Sequence, residues 1–250
     1  FDYRRYSLER VGRYKMNKKL GISVPNDRDH WILTTEDIIG SIKKLINLAQ
    51  GRDDVDDIDH LGNRRVRRVG ELVASSAFRV GLLRLERSVR EKMSLAGPAA
   101  EDLTPMQLVN ARPIIASIND FFRTSQLSTI LDQTNPLAEV DNLRRLTVMG
   151  TGGISRERAS FSIRDINASQ YGRICPVRSP EGPNIGLVTY MSLYTRVNEY
   201  GFLETPYRKV EKVIRNGKIM MRVTAAVEYM DASDEQYKYI THAGIDIDKD

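Results

Sequence analysis

The 250-residue sequence holds a single cysteine, Cys175, and three histidines. One cysteine excludes an internal disulfide framework and a multi-cysteine zinc site, and it agrees with a reducing cytoplasm. His30, His60 and His242 stand too far apart for metal-ligand spacing. No apolar run approaches the roughly 18–20 residues of a membrane span, and no secretory signal precedes the first charged stretch. Neither His-Glu-x-x-His nor Gly-x-Ser-x-Gly occurs. No Asp-x-Asp cluster lies in the glycine-rich context that holds two magnesium ions for phosphoryl transfer. If the protein belongs to such an enzyme, those carboxylates are elsewhere. No stretch repeats with a period of 20–50 residues. The chain opens on Phe1 and stops in Gly244–Asp250 with no obvious closing element, so the expectation is a segment of a longer protein.

Charge is plentiful and unevenly placed. The formal net charge is +5. Between Arg64 and Lys92, nine basic residues face only Glu71, Glu86 and Glu91. Between Leu143 and Arg178, seven arginines face only Glu157 and Asp165. The rest of the chain is therefore acidic. Two arginine-dominated blocks suggest a polyanion partner, because the planar guanidinium grips phosphate in two places. For the first block, solvated helix faces and pairs such as Glu86 with Arg90 are an equal alternative. The second block lies in glycine- and turn-rich sequence, where no helix face accounts for its arginines.

Local patterns predict a largely helical first half and a largely stranded second half, an α+β chain. Phe1–Leu20 is basic and aromatic and reads as a strand or an extended arm. Thr34 or Thr35 caps a helix with Ile38, Ile42, Leu45, Ile46 and Leu48 as its apolar positions, closed by Gly51. Arg64–Met93 reads as helical, with Gly70 and Gly81 marking two helices or a close helix contact. Gly97-Pro98 breaks that pattern. Thr104-Pro105 and Asn135-Pro136 are cap-then-proline helix starts, and Pro113 restarts a helix through Phe122. Ser125 caps a short helix over Gln126–Leu131. Strands are expected over Ala159–Arg164, Asn184–Val197, Phe202–Val210, Lys218–Tyr229 and Tyr237–Thr241.

Three motifs invite chemistry. Asp53–Asp59 is acidic, but as a calcium loop it lacks the required bidentate Glu, with Arg68 in its place. It reads as a structural loop, or as a place where Asp accepts from a base amino group beside Arg64 or Arg65. Gly150-Thr151-Gly152-Gly153 lacks both the phosphate-loop Lys and the dinucleotide spacing. It is either a surface hairpin or a thin tip that brings Arg156 and Arg158 to a phosphate backbone. Arg178–Gly186 holds two prolines and two glycines, rigid turns that aim Glu181 and Asn184.

Taken together, Asp56–Arg65, Ser125–Ser128, Asp132–Leu137, Arg156–Ala159, Tyr171–Pro176, Ser179–Gly186 and Asn198–Val210 resemble hallmarks of the β subunit of bacterial DNA-directed RNA polymerase. The resemblance runs from about Val11 to Val210 and fades in the last forty residues. It implies that residues 1–60 form a basic arm, helix and acidic loop joining the lobe and protrusion to the fork. Residues 61–204 would be the fork region, and residues 205–250 the start of a following β-rich external module. Residues 149–164 would be the fork loop, which meets downstream duplex where the strands separate, with Arg158 touching DNA. Asp59, Arg64, Ile154 and Ile163 would form the pocket for an unstacked guanine of the nontemplate strand. Thr129, Asp132, Arg145, Arg156, Pro180 and Asn184 would line the nascent RNA path.

The RNA-path surface of this family also binds rifamycins, and the resemblance adds Gln126, Ile130, Asn142, Thr147, Met149, Glu181 and Val188 to it. Here Asn142 stands where His is usual, Thr129 where Gln, Ile130 where Phe and Thr147 where Ser. Asn removes a ring, and Thr129 is too short to reach the partner of a Gln amide, so weak rifamycin binding is expected. The reaction implied is templated nucleotidyl transfer by Mg²⁺ ions held mainly by a β′ subunit, with none bound by this segment. Implied partners are the β′, α and ω subunits, sigma factor, DNA, nascent RNA and nucleoside triphosphates, with no membrane and a cytoplasmic, nucleoid-associated location. Two other readings stay open. One is a free-standing basic nucleic-acid-binding module. The other is a scaffold whose arginines pair with acidic protein surfaces.

Overall fold

A buried guanidinium must have every donor satisfied, and two such groups organise this chain. The computed structural model describes residues 2, 5–97, 104–215 and 218–242. It divides into two compact units, Phe1–Ile58 and Asp59–Asp250.

The first unit pairs helix α1 (Glu9–Leu20) with helix α2 (Thr35–Ala49). Arg13 of α1 is fully buried and donates to Asp37 Oδ1 (2.7 Å), to the His30 carbonyl (2.7 Å) and to the Ile32 carbonyl. Asp37 is also the third residue of α2. It accepts from the Thr34 N–H (2.8 Å) while Thr34 Oγ1 accepts from its own N–H (3.3 Å), a closed capping box. Burial by itself would raise the Asp37 carboxyl. The bond from Arg13, then those from Thr34, outweigh it and hold the group below its ordinary value of 3.8. Within this unit Ile38, Ile39, Ile42, Leu45 and Ile46 leave α2 with an exposed apolar stripe.

In the second unit, residues 64–68 have no regular secondary structure, and the Val66 N–H bonds the Gly201 carbonyl (2.7 Å). Helix α3 (Val69–Val73) then passes through a π-helical turn at Ala74–Phe78 into α4 (Arg79–Ala96). Gly81 lets α4 approach α6 (Arg112–Thr124), since a Cβ there would lie 2.9 Å from Ile114 Cα. A short α5 (Pro105–Leu108) precedes α6, and α7 (Pro136–Leu143) follows it. Asn135 caps α7 by accepting from the Ala138 N–H (2.8 Å).

Strand β1 (Arg145–Thr147) pairs antiparallel with β2 (Val188–Tyr190). A one-turn helix, α8 (Phe161–Arg164), lies between them in sequence. Strand β3 (Arg196–Val197) pairs with β4 (Leu203–Arg215), which forms a long hairpin with β5 (Lys218–Asp231). A one-turn α9 (Ala232–Glu235) closes the set.

The core is small: Leu61, Ile174, Leu203 and Ala232, flanked by Val66, Leu146, Met191 and Val197. Beside it Arg173 is fully buried. It donates to the carbonyls of Ser169 (3.1 Å), Leu203 (3.0 Å) and Met230 (3.0 Å) and forms an ion pair with Glu235. Burial first, and then the Glu235 charge, push the nearby Tyr207 phenol up to about 12.

Several expected elements differ. The first twenty residues contain a helix, not a strand, because the residue α1 buries is Arg13, which an apolar period cannot register. Gln126–Leu131 forms a turn only, with Ser125 Oγ accepting from the Leu127 N–H (3.3 Å) in competition with helix. Ala159–Arg164 is not a strand, since the Asp165 N–H folds back onto the Phe161 carbonyl (3.1 Å). Asn184–Val197 resolves into β2 and β3 separated by turns. Tyr237–Thr241 is no strand either: the Lys238 N–H turns back to the Glu235 carbonyl (3.0 Å). The Arg64–Met93 helix starts later and runs on to Ala96. The remaining helix starts and the strands expected over Phe202–Val210 and Lys218–Tyr229 agree with expectation, the first running on to Arg215 and the two pairing as a hairpin, and Pro98 lies outside the described residues.

Two predictions follow from the buried arginines. Arg173→Met leaves Glu235 without its cation and three carbonyls without a donor. It lowers the unfolding free energy by roughly 3–5 kcal/mol, read as a shift of the urea midpoint. Asp37 titrates lower folded than unfolded, so its contribution is complete above about pH 4 and lost as pH falls through the folded value. Urea unfolding followed by Trp31 fluorescence shows this acid loss, and Asp37→Asn flattens it.

Candidate nucleic-acid interface

The arginines of the second basic block divide into two kinds. Arg173 is buried in the core. Arg144 donates to the carbonyls of Ser192 and Leu193 (3.2 Å to the latter). Arg164 donates to those of Pro183 (2.7 Å), Ile185 (2.9 Å) and Arg156 (3.3 Å). Arg178 grips both Asp141 oxygens and lies 3.6 Å from the centre of the Tyr190 ring. The bond from Arg178 holds the Asp141 carboxyl below its ordinary value. Four of the seven arginines therefore brace the backbone or neighbouring side chains. Arg145, Arg156 and Arg158 remain exposed, and among the described residues no carboxylate pairs with them.

The first block is spent more fully. Arg65 is bidentate on Glu71 (2.7 and 2.5 Å), Arg68 donates to the Val197 carbonyl (2.8 Å), and Arg90 pairs with Glu86. Arg84 donates to Ser117 Oγ (3.3 Å), and Lys92 to the carbonyls of Gln107 and Leu108. The sequence could not separate most bracing arginines from exposed ones, because partners such as the Thr151, Val197 and Ser192 carbonyls lie far along the chain.

The structure joins several of the sequence-selected residues. The β1–β2 register sets Thr147 opposite Val188 and Arg145 opposite Tyr190. Alternation along β1 turns Leu146 inward and leaves Arg145 and Thr147 exposed. Past β1, the Ile154 N–H bonds the Val148 carbonyl (2.9 Å), closing a turn with Gly150 and Gly152 at positive φ. Leu127 packs over Gly150 so closely that a Cβ there would lie 2.6 Å from Leu127 Cδ2. Arg67 donates to the Thr151 carbonyl (2.6 Å), tying the segment after Asp59 and Arg64 to the same turn. Asp59 and Arg64 sit 3.6 Å apart. Gln126, Gly150, Gly153, Ile154, Ser155, Arg156 and Glu157 line a shallow open depression. Arg156–Arg158 forms a single 3₁₀ turn at its edge, and Ile163 of α8 is half-buried.

Other candidates are placed less closely. Thr129, Ile130 and Asp132 lie exposed on a segment without regular secondary structure. Asp132 accepts from the Thr134 hydroxyl and N–H, which hold its carboxyl below the ordinary value. Asn142 of α7, Met149 and Pro180 are half-buried, and Glu181 is exposed. Asn184 is half-buried, and its Oδ1 is buried without a hydrogen-bond partner among the described residues. No three His, Cys, Asp or Glu side chains gather into a metal-holding group among the described residues, and no described helix is long and apolar enough to cross a membrane.

Comparison with known proteins follows the same lines. A model of RNA polymerase Rpb2 domain 2 matches residues 1–67, and one of Rpb2 domain 3 matches residues 129–197. The DNA-directed RNA polymerase subunit beta of Syntrophomonas wolfei is 50% identical over 249 residues, covering 100% of this chain and 22% of that protein. That of Sorangium cellulosum is 49% identical over 253 residues, covering 100% and 18%. That of an Anaeromyxobacter species is 51% identical over 251 residues, covering 100% and 17%. The chain thus spans about a fifth of the length of these curated relatives. Matched from end to end at about half identity, and by models of two domains of one subunit in chain order, it belongs to the β-subunit (Rpb2) family of DNA-directed RNA polymerases.

Proposed function

We propose that this chain forms part of the wall of the main channel of a multisubunit RNA polymerase, where it guides nucleic acid during templated RNA synthesis. The observation that carries the reading is the set of three arginines of the second basic block left over after the fold has used the other four. Arg156 and Arg158 are exposed on a 3₁₀ turn held by Arg164, and Arg145 is exposed on β1, which leads into the turn held by Arg67. An exposed guanidinium on a braced turn suits phosphate, since the donor geometry is fixed before the ligand arrives.

In this reading the fork loop, residues 149–164, meets downstream duplex through Arg158. Asp59, Arg64, Ile154 and Ile163 accept an unstacked nontemplate base. Arg145 and Arg156, with Gln126, Thr129, Asp132, Pro180 and Asn184, flank the nascent RNA. The protein would act with β′, α, ω and sigma factor in the cytoplasm, at the nucleoid. Mg²⁺ for nucleotidyl transfer from nucleoside triphosphates would be held by β′, and this segment's share is to orient the strands. The likeness to other β subunits supports this reading over a free-standing basic module.

The assembled enzyme carrying Arg158→Ala tests it. If Arg158 neutralises one phosphate, the slope of log affinity for downstream duplex against log salt falls by about 0.9. Arg145→Ala leaves that slope unchanged and increases release of short transcripts. An unaltered slope in Arg158→Ala overturns the assignment.

The RNA-facing surface is also proposed to bind rifamycins weakly. Thr129 and Ile130 are exposed and offer neither an amide nor an aromatic ring, while Asp132 is already engaged by Thr134. Thr129→Gln with Asn142→His lowers the inhibitory rifamycin concentration by about tenfold, the equivalent of ~1.4 kcal/mol of restored contact. Strong inhibition of the unsubstituted enzyme refutes the proposal.

A further inference from the structure

One guanidinium, that of Arg164, spans the two segments given separate roles above. Its Nη1 donates to the carbonyls of Pro183 (2.7 Å) and Ile185 (2.9 Å), within the Pro180–Gly186 turn. Its Nη2 donates to the carbonyl of Arg156 (3.3 Å), within the fork loop. The contact extends to the backbone. Gly186, at φ 71°, rests so closely on Arg164 that an added Cβ would lie 2.5 Å from Arg164 Cα. The Gly186 N–H donates to Ser179 Oγ (3.0 Å), closing the turn. The buried Leu187 that follows accepts at its carbonyl from the Val148 N–H (3.0 Å), which joins the turn to β1.

We propose that Arg164 is a positioning residue that holds the DNA-facing loop and the RNA-facing turn in one fixed relation. A planar fork with donors on two sides fixes the angle between its partners, whereas a lysine ammonium, a point charge, reaches them without setting that angle and holds them less firmly. The carbonyls it holds belong to turns with few ladder bonds of their own. Without it, each turn relaxes toward water independently. The geometry of strand separation and the grip on the transcript are then coupled through one side chain that touches neither strand. This inference rests on the function proposed above.

The test uses the complete polymerase with full-length β subunit carrying Arg164→Met or Arg164→Lys. Two signals are read from each preparation: fluorescence of 2-aminopurine in the nontemplate strand at the downstream edge of the bubble, and the ratio of abortive to full-length transcripts. Arg164→Met is expected to move both by about tenfold, the weight of a charge-assisted hydrogen bond lost, with subunit assembly and thermal midpoint retained. Arg164→Lys moves both by less, and in the same proportion. Movement of one signal alone, or of neither, overturns the proposal. So does loss of assembly in both variants, which would make Arg164 a folding brace only. Arg158→Ala and Asn184→Ala separate the two levels. If they alter the DNA and transcript signals respectively while the Arg164 variants do not, only the coupling fails. If neither alters its signal, the functional reading fails and the coupling with it.

Discussion

Everything in the larger unit depends on a cation taken out of water and fully satisfied there. Arg173 binds carbonyls contributed by Ser169, Leu203 and Met230, and Glu235 balances its charge. Those groups belong to a turn, two strands and a helix far apart in sequence. Because a buried guanidinium tolerates no missing partner, the bond set fixes how these elements meet. The smaller unit repeats the device with Arg13, Asp37 and two carbonyls. Such braces matter where apolar burial is limited, and among the described residues the buried apolar cluster is formed by Leu61, Ile174, Leu203 and Ala232.

The same residue type therefore does two jobs, and geometry assigns them. Arginines that find carbonyls within reach stiffen turns that have few ladder bonds. Arginines on the outer edge of those stiffened turns stay exposed. Stiffness in the second group is inherited from the first: Arg67 and Arg164 hold the turns whose tips carry Arg156 and Arg158. A preorganised cation loses less freedom on meeting a phosphate than one on a mobile loop.

The family hallmarks sort along the same division. Leu61 lies in the core and takes Ser169 Oγ as acceptor for its N–H (3.0 Å), so the Asp56–Arg65 motif is partly a packing device. Gly172, Arg173 and Ile174, and Asn198 through Thr205, meet around that core. Asp132, Arg156, Arg158 and Glu181 instead remain at the surface. A family resemblance alone could not say which motifs pack the core and which stay at the surface.

Local signals were sufficient where one residue decides one backbone group. Thr34 and Asn135 cap helices through their own side chains, and the β4–β5 alternation needs only its neighbour. They failed at Glu9–Leu20 and Phe161–Arg164, whose conformation is set by polar contacts instead of apolar period. The residues of the candidate site were nameable from sequence by resemblance, yet Arg164 and Arg67 were not, since their partners are backbone carbonyls 8 to 84 positions away. Sequence by itself determined the helix starts, the glycine and proline turns, the family and the surplus of arginine. Tertiary structure alone decided which guanidiniums are consumed by carbonyls and which are left for a ligand, because hydrogen-bond satisfaction is a property of the folded neighbourhood and not of the residue.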